Sequence, residues 1–121
     1  MKSQAYRMAM LFDFYGDILT ERQRELFDLY YNEDLSLAGI AENCGISRQG
    51  VRDVIVRAET AMNELEDKTG LLKRFMRMQD SVDAIVAAAN EIKTINYRQY
   101  ENHRLEELAD SIIAGAGVLK E

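Results

Sequence analysis

Leu35-Ser36-Leu37-Ala38-Gly39-Ile40-Ala41-Glu42-Asn43-Cys44-Gly45-Ile46-Ser47-Arg48-Gln49-Gly50-Val51 is the stretch whose reading decides the fold. Ala41 is small where two helices must cross closely. Gly45, four residues on, can take the positive φ of a tight turn without a Cβ clash. Ile46 plugs the corner. Ser47 is placed to cap the next helix, and Val51 to pack back on the first helix of the pair. Small residue, glycine, apolar residue, cap and β-branched residue at this spacing form a helix-turn-helix signature.

The sequence on either side keeps a helical period. A first helix is expected from about Gln4 to Tyr15, with Met8, Leu11, Phe12 and Tyr15 on one stripe and Gly16 as a left-handed stop. Thr20 with Gln23 forms a capping box, opening a second helix to about Tyr31 that buries Leu26, Phe27 and Tyr30. Asn32-Glu33-Asp34 is a polar turn. Ser36 caps a short third helix carrying Leu37, Ile40, Ala41 and Cys44, and Gly45 ends it. After Ser47, a fourth helix carries Val51, Val54, Ile55, Ala58, Met62 and Leu65, with Gly70 as its stop.

A fifth helix, about Leu72 to Thr94, keeps a stripe at Phe75, Met78, Val82, Ile85, Ala89 and Ile92. Asn96 with Gln99 reads as another capping box. The last helix then buries Leu105, Leu108, Ala109 and Ile112, and Gly115 and Gly117 fray its end. The expectation is an all-α chain, with a helix-turn-helix domain over residues 1–75 and a C-terminal helical extension over 76–121.

Composition narrows the function classes. The 121 residues allow one domain, or a small domain with an appendage. The chain has no proline, one Cys and one His, so neither an internal disulfide nor a four-ligand zinc site is available. Apolar residues at 47% are too many for disorder. The longest apolar run, Ala84 to Ala89, is far short of the ~20 residues of a membrane span. The opening Met1-Lys2-Ser3-Gln4 reads as no export leader, and with a lone Cys a cytoplasmic setting is expected.

No catalytic constellation stands out, and the expectation is a protein that is no enzyme, with no cofactor and no metal. Cys44 falls on a buried stripe beside the turn. His103 sits between Asn102 and Arg104 in a polar segment. Glu33-Asp34 and Glu106-Glu107 are adjacent pairs whose side chains diverge on a helix. A glycine-rich phosphate loop is absent.

The chemistry concentrates on the second helix of the turn. Its outward positions are Arg48, Gln49, Arg52 and Asp53, with Arg57 further on. Arg and Gln pair bidentately with guanine and adenine edges in a major groove, and the helix N-terminus attracts phosphate. Ser47, Arg48, Gln49, Arg52 and Arg57 are therefore the candidate nucleic-acid-binding residues. A solvated helix face is the plain alternative. The net charge of −6 limits such binding. Residues 1–75 hold 10 basic and 13 acidic side chains, and residues 76–121 hold 5 and 8. Neither part is a basic arm.

Leu19-Thr20-Glu21-Arg22-Gln23-Arg24-Glu25-Leu26 before the turn resembles region 4 of bacterial sigma factors. A closer resemblance rests on Leu11-Phe12-Asp13-Phe14-Tyr15-Gly16, Leu29-Tyr30-Tyr31, Asp34-Leu35-Ser36-Leu37, Ser47-Arg48-Gln49, Arg57-Ala58-Glu59 and Gly70-Leu71-Leu72-Lys73-Arg74-Phe75. Together they look like the YlxM family of small bacterial helix-turn-helix proteins, over roughly Ala5 to Phe75. Gly50 and Arg52 depart from the Ala and aromatic residue of that pattern.

The resemblance implies a bacterial cytosolic protein, regulatory or accessory, associated with the signal recognition particle pathway. Its partners would be nucleic acid, either a DNA duplex or the particle's RNA, and the particle's GTPase, with no membrane insertion. Two roles follow. In one, the basic face meets the phosphates of the particle's RNA, or the acidic and aromatic surfaces meet its protein. In the other, the chain is a DNA-binding transcriptional regulator acting as a dimer, with Arg48, Gln49 and Arg52 in the groove and Arg57 on phosphate. The fifth helix is then either the seam of a homodimer or a helix packed on the last one within one chain.

Overall fold

The computed structural model describes residues 4–120, and among them the chain is helical with no strand. The reading of Met1-Lys2-Ser3 lies outside the described residues. The elements are α1 (Ala5–Tyr15), a 3₁₀ turn (Gly16–Ile18), α2 (Glu21–Tyr31), α3 (Leu37–Cys44), α4 (Arg48–Thr69), α5 (Leu71–Ile95), a π-helical turn (Asn96–Tyr100) and α6 (His103–Val118). The chain divides into two compact units, Met1–Leu72 and Lys73–Glu121.

Local chemistry sets the helix ends of the first unit. The Thr20 hydroxyl accepts from the Gln23 N–H at 3.1 Å, and the Thr20 N–H donates to Gln23 Oε1 at 3.0 Å, completing the capping box. Ser36 and Ser47 cap α3 and α4 through the N–H groups of Gly39 and Gly50. Gly45 and Gly70 adopt φ of 68° and 63° at the ends of α3 and α4, the left-handed stops their positions called for.

Gly16 departs from expectation. Its φ is −55°, and the chain runs on into the 3₁₀ turn rather than reversing through a left-handed residue. A Cβ there would lie 3.3 Å from the Phe12 ring, so close packing, not backbone handedness, favours glycine.

The first unit has two apolar cores joined by α2 and α4. In one, Leu26 and Tyr30 of α2 meet Ile40 and Ala41 of α3 and Val51 and Ile55 of α4. In the other, Met8, Leu11 and Tyr15 of α1 meet Phe27, Ala58, Met62 and Leu72. At 22 residues, α4 is about 33 Å long, enough to serve both cores in succession. Phe12 stacks on Phe27 with centroids 4.9 Å apart, and Tyr31 follows Phe27 at 4.6 Å. Phe14 lies off the α1 stripe and is exposed.

Glu66 is buried at the C-terminal end of α4. Its Oε1 accepts from the Tyr15 hydroxyl at 2.7 Å and from the Leu72 N–H at 2.9 Å. The carboxylate thereby joins α1 to α4 and satisfies an orphan amide in the first turn of α5. Tyr15 spends its proton on Glu66, so Thr69 donates to the tyrosine oxygen at 2.6 Å. Burial pushes the Tyr15 phenol above its ordinary pKa.

The second unit is a helical hairpin. Ion pairs Lys93–Asp110, at 2.6 Å, and Lys120–Asp83 place α6 antiparallel along α5. Here the structure corrects the expected stripes. The buried positions of this unit before α6 are Val82 and Ala89 of α5 and Asn96 of the π turn, with Val86 and Lys93 half-buried between them. On α6 they are Ala109 and Ala116, with Ile113 half-buried. Met78, Ile85, Ile92, Leu105, Leu108 and Ile112 are exposed. Alanines let two helices approach closely, and the long side chains are left outside that contact.

Asn96 is no N-cap. It is buried in the π turn, where its side chain accepts from the Asn102 N–H at 2.9 Å and donates to the Asn102 C=O at 2.8 Å. The cap of α6 is Asn102, whose Oδ1 accepts from the Leu105 N–H. Helix α6 also continues through Gly115 and Gly117 to Val118.

Candidate nucleic-acid interface

The α3–α4 turn is held by one carbonyl. The Gly45 and Ile46 N–H groups both reach the Ala41 C=O, the latter at 3.2 Å. Ala41 and Val51 are buried and Ile46 is half-buried, all in one cluster. The two helices are thereby locked together, and the first turn of α4 is presented outward.

That turn carries most of the candidate residues. Arg48, Gln49 and Arg52, together with Leu37 from the start of α3, line a shallow open cleft of about 310 Å³. The N-termini of α3 and α4 meet there, and each contributes partial positive charge. Arg48, Arg52 and Arg57 are exposed and form no ion pair among the described residues. Their charge is therefore available to an anion.

Helical geometry sorts these residues into two rows. Arg48 and Arg52 stand four apart on the row facing the cleft. Gln49, Asp53 and Arg57 form the next row, so Arg57 lies roughly 140° around the helix from Arg52. The cleft does not include Arg57. Gln49 Nε2 donates to Asp53 Oδ1 at 2.9 Å, which aims the amide along the helix and occupies part of the carboxylate. Ser47 does not line the cleft, and its oxygen accepts from Gly50 N–H at 2.9 Å and is committed to the cap.

Gly50 acquires a local reason. A Cβ there would lie 3.1 Å from Ser47 Oγ, so its absence lets the cap oxygen sit close over the first turn. Gly39 stands the same way over Ser36, at 3.3 Å.

Two features of this region were not read from sequence. Leu37 was placed on the core stripe of α3, yet it also walls the cleft. The Tyr31 hydroxyl donates to Glu59 Oε1 at 2.8 Å, tying α2 to α4 one turn below the basic rows. Burial and that carboxylate push the Tyr31 phenol well above its ordinary pKa. Neither had a one-dimensional signal, because each pairs residues from different helices.

The other candidates stay in plain roles. Cys44 is half-buried against the α2–α3–α4 core. His103 is exposed and pairs with Glu107 at 2.9 Å. Among the described residues, no group of three or more His, Cys, Asp or Glu side chains is placed to hold a metal ion. Among them, too, no helix is long and apolar enough to cross a membrane.

Comparison with known proteins extends beyond the turn. Residues 2–110 match the family UPF0122, described as "Putative helix-turn-helix protein, YlxM / p13 like". A UPF0122 protein of Acetivibrio thermocellus is 36% identical over 115 residues, covering 89% of this chain and 98% of that protein. One from Bacillus thuringiensis (strain Al Hakam) is 38% identical over 112 residues, covering 93% and 96%. One from Thermoanaerobacter sp. (strain X514) is 47% identical over 78 residues, covering 64% and 67%.

Proposed function

Because the chain belongs to the UPF0122 family of YlxM / p13-like helix-turn-helix proteins, we propose that it is a non-enzymatic accessory or regulatory component of the bacterial signal recognition particle pathway. It acts in the cytoplasm and holds nucleic acid on the outward face of α4. Residues 1–75 carry this contact, and residues 76–121 are a separate helical extension.

The observation that supports the reading is the grouping of Arg48 and Arg52, unpaired and exposed, with Gln49 around one cleft at two helix N-termini. Arg57, on the neighbouring row, reaches a phosphate beside the main contact, and Ser47 holds the helix start in place. Duplex RNA has a major groove too narrow for side chains to read, so contact with the particle's RNA follows shape and phosphate. The particle's GTPase is the protein partner in this reading.

The test is retention from a bacterial lysate. Immobilised full-length protein should retain the particle's RNA or its GTPase, and Arg48→Ala/Arg52→Ala should lose the RNA. Retention of neither component overturns the proposal.

A second reading is favoured by the side-chain types. Arg and Gln are the residues that read guanine and adenine edges, and the chain is then a dimeric transcriptional regulator. Selection from random duplexes distinguishes the two. An enriched motif, lost in Arg52→Ala, supports the regulator, and no enrichment leaves the particle reading alone.

A further inference from the structure

The hairpin of α5 and α6 hides its small residues and displays its large ones. Ala89, Ala109 and Ala116 are in the seam, whereas Ile85 is 46% exposed and Ile112 43%. The exposed side chains are not scattered. Met78, Ile85 and Ile92 recur every seven residues on α5, and Leu105, Ile112 and the C-cap Leu119 do so along α6. Residues seven apart stay on one side of a helix, as in the seams of coiled coils.

Both rows lie on the same face of the hairpin. Ile85 and Ile92 each precede a seam residue, Val86 and Lys93, and Ile112 precedes Ile113. One residue back is roughly 100° around the helix axis. In an antiparallel pair the same rotation on each helix leads to the same side. The opposite face carries Asp83, Asn90, Glu106 and Asp110, with Met76 and Tyr97 at the two ends of the Asp83–Asn90 row. The middle of that face is polar, whereas the aliphatic face is continuous along two helices.

We infer that this face is covered by a second copy of the chain, forming an antiparallel four-helix bundle from two hairpins. The rows are self-complementary in kind, since large aliphatic side chains at heptad spacing meet the same pattern in the copy. The area is adequate. Six side chains exposed by about two-fifths to one-half offer roughly 500 Å² per copy, so about 1,000 Å² in total from these rows alone, the threshold a biological interface should clear.

Charge then selects the arrangement. Two such hairpins can stack about a two-fold axis running along the helices or across them. Along the helices, each end meets its own kind. Across them, the open end of one hairpin meets the tip of the other. Arg74 and Arg77 make the open end basic, with no carboxylate among residues 73–77. Residues 91–110, around the tip, hold five carboxylates and three Lys or Arg. Only the crosswise axis sets basic against acidic, and it places α5 on α5 and α6 on α6, each antiparallel. This inference supplies the dimer of the regulator reading but uses no nucleic acid, so the two can fail separately.

Sedimentation equilibrium of the full chain at low salt is the test. The expected mass is twice the 13.9 kDa of one chain. Ile112→Glu should return it to a single chain mass with the helical circular dichroism unchanged, and Asn90→Lys on the polar face should leave the dimer intact. Ile85→Lys is the second probe should Ile112→Glu fail to fold. Orientation is read from spin labels at Arg77→Cys in a Cys44→Ser background. Labels roughly 30 Å apart, from about 10 residues of helix on either side of the axis, fit the crosswise arrangement. Labels within about 20 Å overturn it. A wild-type chain that stays at a single chain mass at high micromolar concentration overturns the proposal, including one that keeps this face for a different protein. So does a dimer broken by Asn90→Lys but not by Ile112→Glu or Ile85→Lys.

Discussion

Replacing Arg52 by Ala tests the basic face through its salt dependence. Arg48, Arg52 and Arg57 are the three cations on the outward rows of α4. If each neutralises one phosphate, log K falls with log salt at a slope of about −2.7 per copy on B-form DNA. Raising salt about four-fold, from roughly 50 to 200 mM, then weakens binding roughly 40-fold. Arg52→Ala removes one contact, so the slope relaxes to about −1.8 and the loss over the same range to roughly 12-fold. A dimer using both motifs doubles the slopes, to about −5.4 and −3.6. Fluorescence anisotropy of a labelled short duplex, titrated at several salt concentrations, measures both values. The Arg52→Ala fold should be unaffected, because this side chain is exposed and makes no ion pair among the described residues. A slope unchanged by Arg52→Ala, in a variant with wild-type helicity, would refute the assignment of this face to phosphate.

Four further outcomes follow from the packing. Gly45→Ala places a Cβ in open space but forces φ near 68°, so it should destabilise by about 1 kcal/mol in urea unfolding. Gly115→Ala, inside α6 with nothing near its Cβ, should instead stabilise by roughly 0.5–1 kcal/mol. Glu66→Ala orphans the Leu72 N–H and removes the Tyr15 acceptor, for a loss of about 2–4 kcal/mol, whereas Glu66→Gln keeps an acceptor and should lose clearly less. Tyr31 has a folded pKa raised above its unfolded value, so its contribution is complete below about pH 10 and is lost as pH rises above that. The stability gap between wild type and Tyr31→Phe, measured by urea unfolding, should therefore narrow between neutral and strongly alkaline pH.

Much of the first unit was legible because its signals are local. Thr20 with Gln23, Ser36 with Gly39 and Ser47 with Gly50 cap helices through bonds spanning three residues. Spacing alone can announce such bonds. Gly45 and Gly70 are similar, since a left-handed residue after a helix is a property of the backbone there. Gly16 shows the limit. It also follows a helix, yet the Phe12 ring, not a reversal of the chain, governs its place. Asn96 shows another. Asn96 and Gln99 have the spacing of a capping box, but the side chain is drawn inward by both backbone groups of Asn102.

The candidate site was legible as a set of residues on one helix, and the structure adds how they are grouped. Arg48, Gln49 and Arg52 share a cleft with Leu37, and Arg57 stands on the neighbouring row. That distinction depends on where α3 begins relative to α4, which is a tertiary fact.

By itself, the sequence determined the helices, the N-caps of α2, α3 and α4 and the turn between α3 and α4, because hydrogen bonds over three or four residues and a 3.6-residue period are written along one strand of chain. Only the tertiary structure decided which side of α5 turns inward. Val82 and Ala89 belong equally to a row with Met78, Ile85 and Ile92 and to a row with Val86 and Lys93. The period alone favours neither. The choice falls to Ala109 and Ala116 on α6, whose small side chains allow a close approach and leave the large aliphatic row on the outer face.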